Sequence, residues 1–349
     1  MLGLLLAALV ILSLPGCSST PQGSSGTTSW RADVVAHPTF SDQVHVAHWA
    51  EGTQVESIQD PSQIGLGFVR PQDRNTPPPE LPQNVELRID EGQPLQLDLV
   101  LNTAVSRIFL VTALVDYKQV PFSLDGKTGL LHEVNVEQGG QTYLPVEIEV
   151  NGRGAHDLIL LAFADPYDRP WDDAYRKTLL LEVGRRAVVI VGDEDRPFRD
   201  VRPDVYGAPV PERIHFGLSM AFAEPPNSPE DGSHPSERQM RMAAEGKPGE
   251  AFPYQLWVSN YNFPNDVADY AMLRFLDFHQ IDFKGKDLYV AHLDGPQECI
   301  IDDSVLLPNE PGVHELQIVY VFDPYKSLLR NEVPAAFVMA SQPLGIKVP

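Results

Sequence analysis

The chain writes one stretch twice, and that repetition limits its fold more than any other feature. The first copy opens Asp116-Tyr117-Lys118-Gln119-Val120-Pro121-Phe122 and closes Gly154-Ala155-His156-Asp157-Leu158, running on to Phe163-Ala164-Asp165-Pro166-Tyr167. The second opens Asp277-Phe278-His279-Gln280-Ile281-Asp282-Phe283 and closes Gly312-Val313-His314-Glu315-Leu316, running on to Val321-Phe322-Asp323-Pro324-Tyr325. Spacing matches as well as residue type, because the Asp follows the His at the same interval in both copies. A length of 349 residues is too much for one sandwich core and suits two domains with linkers. The repeat sets the count at two.

Between the copies the pattern is that of strands. Val85 to Ile89 and Leu95 to Leu101 alternate apolar and polar residues about the turn residues Glu91-Gly92, as a half-buried antiparallel pair does. Arg107 to Val115 is almost continuously apolar and predicts a central strand covered on both faces. Leu130 to Val136, Tyr143 to Val150 and His156 to Ala164 follow, separated by Gly139-Gly140 and Asn151-Gly152-Arg153-Gly154. Thr178 to Val183 and Ala187 to Val191 predict a last strand broken at Gly184. In the second half, Ile214 to Ala223 and Tyr254 to Asn260 read as the first two strands. His314 to Phe322 sets Leu316, Ile318, Tyr320 and Phe322 on one face against Glu315, Gln317, Val319 and Val321 on the other. Short strands at turn-marked intervals without a helical period predict all-β antiparallel sandwiches.

The expected organisation is a targeting segment at 1–16, a flexible tether at 17–83, a sandwich at 84–192, a linker at 193–211 and a second sandwich at 212–349. Within the second, 224–252 is rich in Pro, Ser, Gly and charge; it is expected to be a disordered insertion, with one helical turn at Glu237 to Ala244. Thr76-Pro77-Pro78-Pro79 predicts a stiff end to the tether, and the patches Val44 to Trp49 and Ile64 to Val69 are candidates for an added edge strand. A shared interface between the domains is allowed near Gly192 to Val210.

Met1 to Leu14 is nearly all Leu, Ala, Val and Ile, the length of a signal h-region and too short to span a bilayer. Leu14-Pro15-Gly16-Cys17 directly after it, with a Ser/Gly-rich tract following, resembles the lipobox of bacterial lipoproteins. That resemblance implies that Cys17 becomes the lipidated first residue of the mature chain, held at a membrane and not spanning it. A plain signal peptide with an incidental Cys is the alternative. The only other cysteine is Cys299, so no disulfide framework exists.

The segment before each repeated His resembles the corner preceding strand F of immunoglobulin-like domains, where a Tyr hydroxyl ties the loop to the strand. A His ring nitrogen can make the same bond, so His156 and His314 are expected to be corner residues; a metal or catalytic role is the rival. Asp165 and Asp323, each followed by Pro-Tyr, end their strands and can bond amides of the following turn. Asp116 and Gln119, with Asp277 and Gln280, either satisfy backbone groups between sheets or line a ligand site at the domain end.

A net charge of −22 disfavours nucleic acid and anionic lipid as principal partners. Gly126-Lys127-Thr128 fails as a phosphate loop, since Pro121 stands where the motif requires Gly and strand residues follow. No zincin motif, nucleophile elbow or paired Cys-x-x-Cys appears, so no catalytic residue is assigned and no metal or cofactor is expected. Carboxylates at Asp165, Asp168, Asp172 and Asp173, and at Asp193-Glu194-Asp195, could hold Ca²⁺, though neither cluster has the spacing of a calcium loop. The sequence therefore predicts an envelope lipoprotein facing periplasm or exterior, acting as a binding or scaffold module for an envelope protein or glycan. A carbohydrate-binding protein using Trp171, Trp257 and Tyr261 is one alternative; a hydrolase built on Asp116, His156 and Asp165 is another.

Overall fold

The computed structural model describes residues 34–37, 64–74, 86–103, 105–137, 141–167, 171, 182–192, 199–211, 220–223, 225, 233–238, 240–260, 267–326, 328 and 337–349. The first half contains β1 (Val34–His37), β2 (Ile64–Val69), β3 (Glu86–Ile89), β4 (Leu95–Thr103), β5 (Arg107–Val115), β6 (Lys118–Val120), β7 (Phe122–Leu124), β8 (Lys127–Gly129), β9 (Leu131–Val136), β10 (Gln141–Ile148), β11 (Gly154–Ala164) and β12 (Glu182–Val191). The second contains β13 (Val205–Tyr206), β14 (Ala208–Pro209), β15 (Met220–Ala223), β16 (Ala243–Glu245), β17 (Ala251–Ser259), β18 (Val267–Leu276), β19 (His279–Ile281), β20 (Tyr289–Asp294), β21 (Gln297–Leu306), β22 (Gly312–Phe322), β23 (Phe337–Ala340) and β24 (Leu344–Val348).

These strands make three sheets. One runs β2-β4-β10-β7-β8 and another β14-β21-β17-β15. The third contains β1-β9-β5-β11-β12 from the first half and continues through β23-β22-β18-β20-β13 of the second. The two halves repeat the same wiring: β2 pairs with β4 as β15 pairs with β17, and β3 runs parallel to β12 as β16 runs parallel to β24. An edge chain that begins in one sheet and crosses to pair parallel with the last strand is the arrangement of an immunoglobulin-like sandwich.

The apolar faces explain the layering. Leu95, Leu97, Leu99 and Leu101 of β4 pack against Phe109, Val111 and Ala113 of β5, forming the first core. Tyr254, Leu256 and Val258 of β17 pack against Tyr270, Met272, Leu316 and Ile318, forming the second. The opposite faces of β5, β11, β18 and β22 are also apolar, and they form a third core between the halves. Leu110, Leu114, Ile159, Leu161 and Phe163 meet Ala271, Leu273, Phe275, Val319 and Val321 there. Covered strands such as β5 thus have two apolar faces because one faces its own domain and the other faces the neighbour. Fully burying a side chain of this size contributes about 1.5–3 kcal/mol, so the third core binds the halves strongly.

Several expectations need correction. The stretch expected to be tether is structured in part: the edge strand expected at Ile64 to Val69 is β2, paired with β4 through Ile64↔Thr103 to Val69↔Asp98, and β1, which was not expected, pairs with β9. The backbone groups of those edge strands supplied partners that composition alone does not reveal; Val44 to Trp49 lies outside the described residues. Of the stretch expected to be a disordered insertion, 233–238 and 240–252 are structured and lead from β15 to β17, and 224, 226–232 and 239 lie outside the described residues. The turn falls at Pro235–Glu237 as a 3-10 turn, and Ala243–Glu245 is a strand held by β24, not a helix. Strand β12 passes unbroken through Gly184, where a Cβ would lie 2.6 Å from the Val338 Cβ and 2.7 Å from Leu161 Cδ2. Glycine there permits β12 to meet β23 across the halves. The shared interface is mainly this sheet face; the linker adds Val201, packed against the third core, and Arg199, while its β13 and β14 pair with β20 and β21 of the second sandwich.

Candidate functional site

The repeated residues lie where each covered strand turns. Asp116-Tyr117 and Asp277-Phe278 are two-residue turns with φ of 49° and 67° and of 49° and 68°. Such turns ordinarily favour Gly or Asn, and a bulky residue at positive φ costs about 1–3 kcal/mol. Here the aromatic rings of Tyr117 and Phe278 are buried in the third core, which offsets that strain.

Each turn Asp is a corner bracket. Asp116 Oδ2 lies 2.8 Å from His156 Nδ1, its Oδ1 accepts from the Asp157 amide, and its own amide donates to the Asp157 carbonyl at 2.8 Å. Asp277 repeats this with His314 Nδ1 at 2.7 Å, the Glu315 amide at 2.9 Å and the Glu315 carbonyl at 2.9 Å. The far ring nitrogens reach loop carbonyls, His156 Nε2 to Gly152 at 3.1 Å and His314 Nε2 to Glu310 at 2.9 Å. Both pairs are shielded, with His side chains 7% and 3% exposed. The hydrogen bond to Asp116 raises the His156 pKa. For His314 burial pulls down, but the bond and charge of Asp277 outweigh it and the net direction is up.

The repeated glutamines join the halves. The Gln119 amide donates to Gln280 Oε1 at 2.6 Å and the Gln280 amide to Gln119 Oε1 at 2.9 Å. Gln119 Nε2 donates to the Phe278 carbonyl at 3.2 Å and Gln280 Nε2 to the Tyr117 carbonyl at 2.7 Å. Four reciprocal bonds between equivalent residues relate the two halves by a local two-fold. Lys118 and Asp287 add an exposed ion pair beside them at 2.6 Å.

One polar cluster breaks that symmetry. Asp157, where the second copy has Glu315, is buried and takes Arg186 Nη2 on both oxygens at 2.9 and 2.8 Å, together with the Tyr117 hydroxyl and the Tyr325 amide at 2.7 Å. Arg186 donates onward to the carbonyls of Phe322 at 2.7 Å and Asp323 at 3.1 Å. Arg199 reaches Asp116 Oδ2 at 3.4 Å and lies over the Tyr325 ring. The sequence reading missed this cluster; its signal was a pair of arginines, Arg185-Arg186, inside an otherwise apolar strand.

The other singled-out residues fall elsewhere. Asp165 bonds Arg107 at the opposite end of β11, and nine residues of extended strand put it about 30 Å from His156, so the proposed hydrolytic set does not assemble. Asp323 accepts from the Asp269 amide at 3.3 Å on the neighbouring strand and pairs with Lys326 at 2.9 Å, whereas the expected partner was the following turn. Trp257 is buried, its indole donating to Glu298, and the half-buried Trp171 donates to the Ala244 carbonyl at 2.9 Å, joining the halves. Cys17, Tyr261, Asp168, Asp172, Asp173 and Asp193-Glu194-Asp195 lie outside the described residues.

No protein-family model and no curated protein matches the chain. Among solved structures, the CARDB domain of a Pyrococcus furiosus protein aligns over 37% of this chain and 92% of its own length, at 10% identity and a TM-score of 0.22. Fibronectin(III)-like modules of Clostridium thermocellum CbhA align over 81% of this chain and 93% of theirs, at 10% identity and a TM-score of 0.18. Tandem immunoglobulin domains of titin align over 76% and 92%, at 8% identity and a TM-score of 0.17. Superpositions this loose carry no argument about activity, and the strand wiring carries the fold. The chain is a tandem of immunoglobulin-like β-sandwiches.

Proposed function

We propose that this chain is a rigid binding or scaffold module of a cell envelope, tethered to a membrane through lipid on Cys17. The observation that supports a scaffold is the interface itself. Two sandwiches joined by a shared apolar core, a continuous sheet and reciprocal glutamine bonds move as one body, and such a body holds a partner in a set geometry. The repeated polar residues serve that body, since Asp116, His156, Asp277 and His314 spend their hydrogen bonds on backbone, on one another and, at Asp116, on Arg199. That use favours a non-catalytic protein over a hydrolase. The burial of Trp257 removes one of the three rings on which sugar stacking rested.

Metabolic labelling with palmitate tests the tether: label should enter the native chain and be lost in Cys17→Ser. Crosslinking of the full-length protein in its own membranes, followed by mass spectrometry, tests the module. One dominant captured protein supports the scaffold reading. Retention by cell-wall or glycan fractions with no captured protein would replace it with carbohydrate binding.

A further inference from the structure

The two histidine brackets have a feature that the corner role does not require. Each ring places both nitrogens against acceptors: His156 against the Asp116 carboxylate and the Gly152 carbonyl, His314 against the Asp277 carboxylate and the Glu310 carbonyl. A neutral imidazole has one N–H and one lone pair, so it can satisfy only one of two acceptors. The other acceptor would face a lone pair, in a place where water has little access. With the aspartate ionised, only the imidazolium, with two N–H donors, satisfies both.

We infer that His156 and His314 are held as imidazolium ions and act as matched proton-operated latches, each releasing its loop carbonyl, Gly152 or Glu310, when it loses a proton. The surroundings support two charged rings. Asp116 at the end of β5 and Asp277 at the end of β18 supply the counter-charges. On the first latch Arg199 from the linker opposes the proton through Asp116; the neighbouring Asp157 is engaged by Arg186, and Arg153 of the loop pairs with Glu91 at the surface. On the second, Glu310 and Glu315 add negative charge, while burial pushes the Asp277 carboxyl upward and His314 pulls it back. The raised pKa of both rings agrees with this reading.

The latches differ in what they reach. The Tyr325 hydroxyl donates to the Asp116 carbonyl at 3.3 Å, and Arg199 bridges Asp116 to the Tyr325 ring, so the first latch touches the junction between the halves. The second holds its own loop through the Glu310 carbonyl. Deprotonation of His156 therefore loosens the Gly152 loop and, by removing a positive charge that competes for Asp116, tightens the Arg199 contact, while deprotonation of His314 frees the Glu310 loop.

The test is nitrogen-15 NMR of the full chain labelled at histidine, titrated upward from about pH 6. Two rings should show both nitrogens protonated where free imidazole, with a pKa of about 6.5, is half neutral. His156→Gln should remove one of these signals and His314→Gln the other; if either variant fails to fold, backbone correlations in the native chain assign them. The amides of Asn151 and Gly152 should shift with the midpoint of the first ring, and those of Asn309 and Glu310 with the second. In Asp116→Asn the first ring should lose its proton at least about tenfold more readily, roughly one pH unit lower, while the second stays in place. A neutral tautomer on either ring at about pH 6.5 overturns the inference. Deprotonation that leaves the loop amides unmoved does the same.

Discussion

Replacing Arg186 with Met tests how the two sandwiches are held together. Arg186 and Asp157 are 0% and 1% exposed, so neither charge is screened by solvent. Removing one partner of a buried pair costs about 3–5 kcal/mol, because the other charge stays buried without compensation. Asp157 would keep the Tyr117 hydroxyl and the Tyr325 amide, which limits that cost. The Phe322 carbonyl would lose its donor, whereas the Asp323 carbonyl keeps the Lys326 amide at 3.3 Å, and an unsatisfied acceptor costs about 1–3 kcal/mol. The expected loss is therefore about 4–6 kcal/mol. In a unit of more than 250 residues this lowers the melting temperature by about 10 °C. Urea unfolding followed by near-ultraviolet circular dichroism, with calorimetry alongside, reads both quantities. The native chain should unfold in one transition and Arg186→Met in two, since the pair spans the junction. Adding Asp157→Leu removes the orphaned charge and should recover most of the loss, leaving about 1–3 kcal/mol for the Phe322 carbonyl. A loss below about 1 kcal/mol in Arg186→Met, with a single transition, would show that the pair does not hold the halves and would refute this account.

At Gly184, substitution by Ala should cost at least about 1–3 kcal/mol, because its Cβ meets Val338 and Leu161 where β12 joins β23; calorimetry checks this, and Gly67→Ala, with only a van der Waals neighbour at 3.9 Å, should cost less. Both raised histidines stabilise the fold fully below the ordinary imidazole pKa of about 6.5, and that contribution is lost as pH rises through their folded values. Urea midpoints should fall over that range in the native chain and fall less in a His156→Gln, His314→Gln double variant. Burial pushes the Cys299 thiol up to about 12, so iodoacetamide at mildly alkaline pH should label it only in denaturant. Gln119→Ala takes the Oε1 acceptor from the Gln280 amide and the Nε2 donor from the Phe278 carbonyl and should cost about 1–3 kcal/mol, with Gln280→Ala costing a similar amount if the local two-fold is energetically even.

The sheet class was legible because strand residues alternate and turn residues punctuate them. The register Leu95, Leu97, Leu99, Leu101 names the core face of β4 with no structure in hand. The candidate site was half legible: repetition pointed to Asp116, Gln119, His156 and their partners, but gave them no contacts. Residues 233–252 were misread because their Pro, Ser and charge resemble a loop, whereas β16 owes its strand to the parallel partner β24, a long way off in sequence. Gly184 reads as a break for the same reason. A glycine in a strand marks either an interruption or a close approach, and only Val338 decides which.

By itself the sequence determined strand periodicity, the doubled unit, the lipobox-like pattern at Cys17 and the acidic charge, all of which are read from residue types and their spacing along the chain. The tertiary structure decided the rest. A strand apolar on both faces, such as β5, says that both faces are covered but not by what, because burial is a property of the partner surface. That the partner is the equivalent face of the other sandwich, pinned by Gln119 to Gln280 and by Arg186 to Asp157, follows from contacts between residues far apart in the chain.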